Sequence, residues 1–225
     1  MVKYSAFFTG LFLSGFVLLP YYPEFTIQFT PDKHDLKNRN MLNQLVRLLQ
    51  NDKEQWESTF KHFFIEKTIP ANTTLLHEGE ISQHLYFIKN GCMRLWFTNS
   101  GNDITFDFFF EEQAVSSIES FLEQQPSLFN LESIEPSHIV ELGREGFNIM
   151  LKRYPQINAG FQEVVVRRLA KYADHFISRL KNNPAKRYHE LLGTHPGIAK
   201  RVPPEYIASY LGVSTDSLSR IIGNG

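Results

Sequence analysis

The chain holds one cysteine, Cys92, in 225 residues. This excludes an internal disulfide and an iron–sulfur cluster ligated by its own thiolates. Its eight histidines include no i, i+4 pair and no HExxH, so no built metal site is expected. GxSxG, the P-loop and GxGxxG are absent as well, so the reading is of a non-enzyme. Excess charge of either sign is lacking: the formal net charge is −1, and the molecule as a whole is no generic polyanion binder. A long apolar run is also missing. Ser5 to Leu19 comes nearest, and a membrane helix needs about 20 residues.

Apolar residues make up 42% of the chain and include 20 Phe, 9 Tyr and 2 Trp, enough for a real core in one or two domains. Charge is unevenly placed. Residues 101–160 hold 3 Lys+Arg against 10 Asp+Glu, a net of −7, whereas residues 161–225 hold 10 against 5, a net of +5. An acidic middle and a basic end fit a sensing module joined to a nucleic-acid module, although a solvated surface would show the same modest excess.

Residues 1–40 do not match the rest of the chain and are set apart as an atypical extension. Three readings compete: a start codon placed too early, with Met41 as the natural beginning; a marginal anchor; or a segment packed on the folded domain. The first is preferred, because Met41-Leu-Asn-Gln-Leu-Val-Arg-Leu-Leu reads as an amphipathic helix opening.

From Phe63 onward, short β-prone segments alternate with turn signals: Phe63–Ile69, Thr73–Leu76, His84–Lys89, Cys92–Thr98, Ile104–Phe110, Leu128–Ser133 and His138–Leu142. Such regular short strands predict a sandwich or jelly roll. Asn90-Gly91 is the strongest hairpin signal among the separators. Pro155 to Leu180 then reads as one long helix with proline in its first turn. Val165, Leu169, Tyr172 and Phe176 step along it like a coiled-coil seam, and a core helix of a single chain would read similarly. Asn182-Asn183-Pro184 breaks the helix and marks a hinge.

Near the end, Ile207, Ala208 and Leu211 recur at helical spacing before Gly212, a natural left-handed stop. Ser214 is a good N-cap for a second helix, with Asp216 in its first turn and Leu218 and Ile221 on its apolar side. Two short helices across a glycine turn form either an ordinary hairpin or a helix-turn-helix, whose second helix enters the major groove. In the latter case Ser214, Thr215, Asp216, Ser217, Ser219 and Arg220 would face the DNA, with Arg220 able to fork onto guanine. Lys186, Arg187, Lys200 and Arg201 are candidate phosphate contacts.

The wording Ile-Ala-Ser-Tyr-Leu-Gly-Val-Ser-x-x-Ser-Leu-Ser-Arg-Ile, from Ile207 to Ile221, resembles the recognition end of the Crp/Fnr family of bacterial transcription regulators. Thr74-Leu75-Leu76-His77-Glu78-Gly79-Glu80 and Leu85-Tyr86-Phe87-Ile88-Lys89-Asn90-Gly91 resemble the entry strands and hairpin of that family's cyclic-nucleotide-binding-like sensor barrel. The resemblance runs from about Leu42 to Ile221. It implies an α+β chain: a β jelly-roll (double-stranded β-helix) sensor barrel over 41–154, a dimerisation helix over 155–182, and a C-terminal helix-turn-helix over 183–225. It also implies a cytoplasmic homodimer on double-stranded DNA, with RNA polymerase as a further partner. Two recognition helices would then sit one DNA turn apart, about 34 Å, on a palindromic site.

In cyclic-nucleotide-binding members a Gly-Glu pair and a later Arg with Ser or Thr hold ribose and phosphate. Laid without gaps, those positions fall here on Ser116, Ser117, Ser127 and Leu128. An anionic phosphate would lack its arginine, so no cyclic AMP cofactor is expected. A polar cassette of Ser116, Ser117, Glu119, Ser120 and Ser127, with Arg94 if it points inward, is the candidate pocket for a different small-molecule effector. A filled pocket is the equal alternative. Thr215 stands where well-known members carry another arginine, so a different operator is implied. After Arg220 five residues remain, with no room for the β-hairpin wing found in many relatives. Weak isolated DNA binding, or a truncated or altered reading frame, is therefore an open expectation, and a small-ligand-binding module with a vestigial DNA arm is the alternative function.

Overall fold

The computed structural model describes residue 54 and residues 56–223. The apolar run at 5–19 and the helix opening at Met41 lie outside the described residues.

Among the described residues, eight strands pair antiparallel in two four-stranded sheets. One sheet runs in the order β1 (Phe64–Ile69), β8 (Ser137–Gly143), β3 (His84–Asn90), β6 (Ala114–Val115). The other runs β2 (Thr74–Leu76), β7 (Asn130–Ser133), β4 (Met93–Asn99), β5 (Asn102–Phe109). Seven of the strands match the segments expected from sequence to within two residues at each end; β6 is too short to leave a pattern. The jelly-roll fold expected from sequence is thus present, with its helices behind and beyond it.

Alternation explains how the sheets meet. Tyr86 and Ile88 of β3 turn inward with Met93, Leu95, Phe109, Leu131 and Ile139, forming the core between the sheets. Leu85 and Phe87, one residue out of phase, turn outward with Val140 and Leu142. That outer face is covered by Phe121 of α1 (Ile118–Glu123), Phe147 and Met150 of α2 (Arg144–Arg153), and Ile157 and Phe161 of α3 (Pro155–Lys181). Strand β3 is buried on both faces, which is why its sequence reads as a continuous apolar run.

The hairpin expectation at Asn90-Gly91 is corrected. Strand β3 belongs to one sheet and β4 to the other, so the pair is a corner where the chain crosses between sheets. Gly91 has φ +114, and a Cβ there would stand 2.1 Å from the Ser137 hydroxyl, so close packing against β8 demands the glycine. The tight hairpin is at Ser100-Gly101, between Asn99 and Asn102, where φ is +52 and +80. Two left-handed residues match the strand twist as Asn-Gly pairs do elsewhere.

Pro155 opens α3 at its first turn. Its end is set by Pro184, which disfavours helix at the residue before it. The Asn183 side chain then accepts from the Lys186 backbone N–H at 2.9 Å and caps α4 (Pro184–Thr194). Three short helices come next: α5 (Ile198–Arg201), α6 (Pro204–Leu211) and α7 (Thr215–Gly223). Gly212 ends α6 at φ +67, and the Ser214 hydroxyl accepts from the Ser217 N–H at 3.2 Å to open α7. Both terminators act as their residue types require. Among the described residues, no helix is long and apolar enough to cross a membrane, and no cluster of His, Cys, Asp and Glu could hold a metal ion.

Candidate nucleic-acid interface

Helix α7 is held by one side and open on the other. Leu218 is buried against Ile207, Ala208 and Leu211 of α6, and Ile221 is packed beside it. Thr215, Asp216, Ser219 and Arg220 are exposed, as is the cap Ser214, while Ser217 is half-buried with its hydroxyl 2.9 Å from that of Ser214. Arg220 has no partner among the described residues. Short polar side chains around one free guanidinium are the chemistry that base edges accept.

The four flanking cations divide. Lys186 and Lys200 are exposed. Arg187 and Arg201 are corrected from phosphate contacts to internal struts. Arg187 donates to the carbonyls of Leu211 at 2.6 Å and Asn182 at 3.3 Å, tying the start of α4 to the end of α6. Arg201 forks onto Glu111 at 2.7 and 2.9 Å and donates to Glu135 at 3.1 Å, fastening α5 to the barrel. Bidentate geometry of this kind is the strong form of an ion pair.

Arg94 is the larger correction. Its neighbours Met93 and Leu95 point into the barrel core, so by strand alternation Arg94 points out of it. It is 1% exposed. Its Nε donates to Glu132 at 2.6 Å, Nη1 to Thr105 at 3.3 Å and Nη2 to Asp103 at 3.4 Å. The Tyr206 ring of α6 covers it at 3.6 Å, with Trp96 at 4.9 Å. Arg94 is therefore no pocket residue. It is a buried cation clamped between sheet and helix-turn-helix.

Strand β5 completes this seat. The Ser209 hydroxyl of α6 donates to the Asp103 carbonyl at 2.8 Å and accepts from the Thr105 N–H at 2.9 Å. Phe108 meets Tyr210 with ring centroids 5.4 Å apart, and Phe110 meets His195 at 4.7 Å. The Tyr210 hydroxyl lies 3.1 Å from His175 Nδ1 of α3. Burial lowers the pKa of both His175 and His195 and raises that of Tyr210. Sequence reasoning missed Asp103, Tyr206, Ser209 and Tyr210. The available signal was parity: a lone arginine between two inward residues of an apolar strand has to meet something outside.

The serine cassette is occupied by the protein itself. Ser116, Ser117, Ser120 and Ser127 are buried, and Glu119 is exposed. Ser116 donates to the His84 carbonyl at 2.9 Å and lies 2.9 Å from the Ser82 hydroxyl. Ser120 donates to the Gln125 carbonyl at 2.6 Å and accepts from the Ser82 N–H, while Ser127 bridges the carbonyl and N–H of Phe129. The hydroxyls of Ser116, Ser120 and Ser127 satisfy neighbouring backbone rather than line a vacancy. An open groove of about 420 Å³ lies elsewhere, among Gln83, Arg144, Glu145, Asn148, Ile149 and Lys152.

The four residues of the expected seam along α3 divide by exposure. Val165 packs on the core behind the first sheet, and Tyr172 meets Phe106 at 4.9 Å, so both face the chain's own barrel. Leu169 and Phe176 are exposed, at 67% and 64%, and share the open face with Val166 and Leu180. Val166, Leu169, Ala173, Phe176 and Leu180 keep a heptad rhythm.

A jelly-roll barrel, one long helix and a helix-turn-helix follow one another in this order. Residues 66–154 match the cyclic nucleotide-binding domain family. The chain is similar to FixK2 from Bradyrhizobium japonicum at 16% identity and TM-score 0.62, covering 72% of this chain and 83% of that one. It is similar to CLP of Xanthomonas campestris, described as a c-di-GMP responsive global regulator, at 15% identity and TM-score 0.59, covering 73% and 87%. A Crp/Fnr family chain from Eubacterium rectale gives 16% identity and TM-score 0.62 over 78% and 85%. No curated protein sequence matches significantly. The barrel thus resembles a cyclic nucleotide-binding domain, and the chain shares its fold with solved chains that include a Crp/Fnr family member.

Proposed function

We propose that the chain is a DNA-binding transcriptional regulator, a homodimer that reads a palindromic duplex through α7 without control by cyclic AMP. The observation that carries this reading is the exposed polar face of α7 with an unpartnered Arg220, presented by a helix-turn-helix whose first helix is locked to the barrel. The fold shared with Crp/Fnr-type regulators supports it. Lys186 and Lys200 set register on phosphates, and the open stripe on α3 pairs two chains. Such a protein works in the cytoplasm, where DNA and RNA polymerase are met, and its role is binding rather than catalysis. Cyclic AMP independence rests on the cassette. No arginine stands there, and the hydroxyls of Ser116, Ser120 and Ser127 already bond to the chain's own backbone. If another small molecule acts as effector, it acts from outside this cassette.

The experiment is capture of bound genomic DNA from cells, then titration of the recovered duplex at several salt concentrations. Arg220→Ala is expected to weaken binding roughly 5- to 150-fold, the cost of one guanine fork at about 1–3 kcal/mol. Wild-type binding is expected to fall with salt and to be unmoved by cyclic AMP. Equal binding by the variant, or a flat salt response, refutes the DNA reading. A shift in affinity with cyclic AMP refutes the independence.

A further inference from the structure

Strand β5 does two jobs that simple alternation would forbid. Asp103, Thr105 and Asp107 are spaced by two, and a regular strand would point all three the same way. A bulge opposite Leu95 and Trp96 inserts one extra residue between Thr105 and Asp107 pairing positions. The Asp103 and Thr105 side chains therefore meet Arg94, which lies under Tyr206 of α6, while the Asp107 side chain meets α3.

Asp107 is 2% exposed. Its Oδ1 accepts from Lys171 Nζ at 2.9 Å and Oδ2 accepts from the same ammonium at 3.1 Å and from Arg168 Nη1 at 3.4 Å. The Phe108 N–H donates to Oδ1 at 2.9 Å. Arg168 lies over the Phe109 ring at 4.4 Å and reaches the Ala114 carbonyl at 3.4 Å. Phe106 and Tyr172 close one side, and Phe129 stacks on Phe106 at 4.6 Å. Burial, then the Asp107 charge, pushes the Tyr172 hydroxyl up to about 12. Two cations of the long helix thus converge, in a nearly dry aromatic setting, on one carboxylate of the barrel.

That is an anion site filled from within. We propose that Asp107 is a tethered internal ligand: its carboxylate supplies the negative charge that binds α3 to the barrel, so the two are joined with no added small anion. A tethered carboxylate is present at far higher effective concentration than a free one, so dissolved anions do not compete. The inference rests on the proposal that no cyclic nucleotide controls the barrel. Its corollary is a latent site: excising the carboxylate leaves a cationic hollow that fits formate, the excised group itself.

The test uses the full chain and reads thermal unfolding. Asp107→Ala is expected to lower the unfolding temperature by several degrees, since it undoes the ion pairs of Arg168 and Lys171, whose partly exposed heads are then solvated only in part. Sodium formate is expected to restore more of that loss than sodium chloride at matched ionic strength. Asp107→Asn, which keeps the volume but not the charge, is expected to lose stability and to gain nothing from formate. Equal effects of the two salts on Asp107→Ala, or stability equal to wild type, overturn the proposal. Should Asp107→Ala not fold, the double variant Asp107→Asn with Lys171→Met decides. A loss no greater than the larger single loss supports the linkage, and strictly additive losses overturn it. The readout involves no DNA, so its failure and the failure of DNA binding are separable.

Discussion

Replacing Arg94 with Met separates the clamp from the pocket it first suggested. The methionine keeps most of the apolar stem, so little packing is lost. What goes is the charge. Glu132, 8% exposed, is left without its 2.6 Å partner, and removing one member of a buried pair costs about 3–5 kcal/mol. The stack on Tyr206 at 3.6 Å is desolvated, and such contacts are worth about 2 kcal/mol. Asp103 is half-exposed at 50% and adds little. These terms share one guanidinium and do not add fully, so a loss of about 4 kcal/mol is expected, or roughly 8–16 °C in unfolding temperature. Urea titration monitored by circular dichroism and by tryptophan emission measures it, with Trp96 beside the site as reporter. Arg94→Met with Glu132→Gln removes the stranded charge and is expected to recover more than half of the loss. A single variant within about 1 kcal/mol of wild type, or a double variant no better than the single, refutes the clamp. The pocket role would instead leave stability intact and change only a ligand response.

The exposed side of α3 and the histidines at the seat give two more expected outcomes. Leu169→Glu with Phe176→Glu is expected to turn a two-chain particle into one chain in sedimentation while barrel stability stays unchanged; Val165→Ala should instead destabilise the barrel by about 1–3 kcal/mol. The histidines give a pH dependence with a definite sign. His175 and His195 have lowered pKa values through burial, so the unfolded chain takes up protons first as pH falls below the ordinary histidine value of 6.5. Stability is then whole above that pH and lost through the folded values below it. The protection of α6 amides, their exchange rate relative to the intrinsic rate at the same pH, is expected to fall between neutral and mildly acidic pH, and His195→Phe, which keeps the Phe110 stack, to blunt the change. Protection indifferent to pH would show that these rings do not hold the seat.

Local chemistry determined much of this from sequence alone. Alternating apolar residues announced the strands, Pro155 and Asn183-Pro184 bounded the long helix, and Gly212 with Ser214 punctuated the helix-turn-helix, because each acts through its own backbone within a few residues. What escaped the sequence depends on partners far along the chain. Arg201 could not be told from a phosphate contact until Glu111 and Glu135 were found beside it. Asn90-Gly91 looked like a hairpin because the turn signal is local, whereas the choice of sheet for β4 is made by β5 and β7. Which α3 residues stay open depended on where the barrel lies against it: Val165 and Tyr172 are taken, and Leu169 and Phe176 are left. The bulge in β5, which sends Asp107 to one helix and Thr105 to another, is a property of pairing between two strands and exists only once they meet.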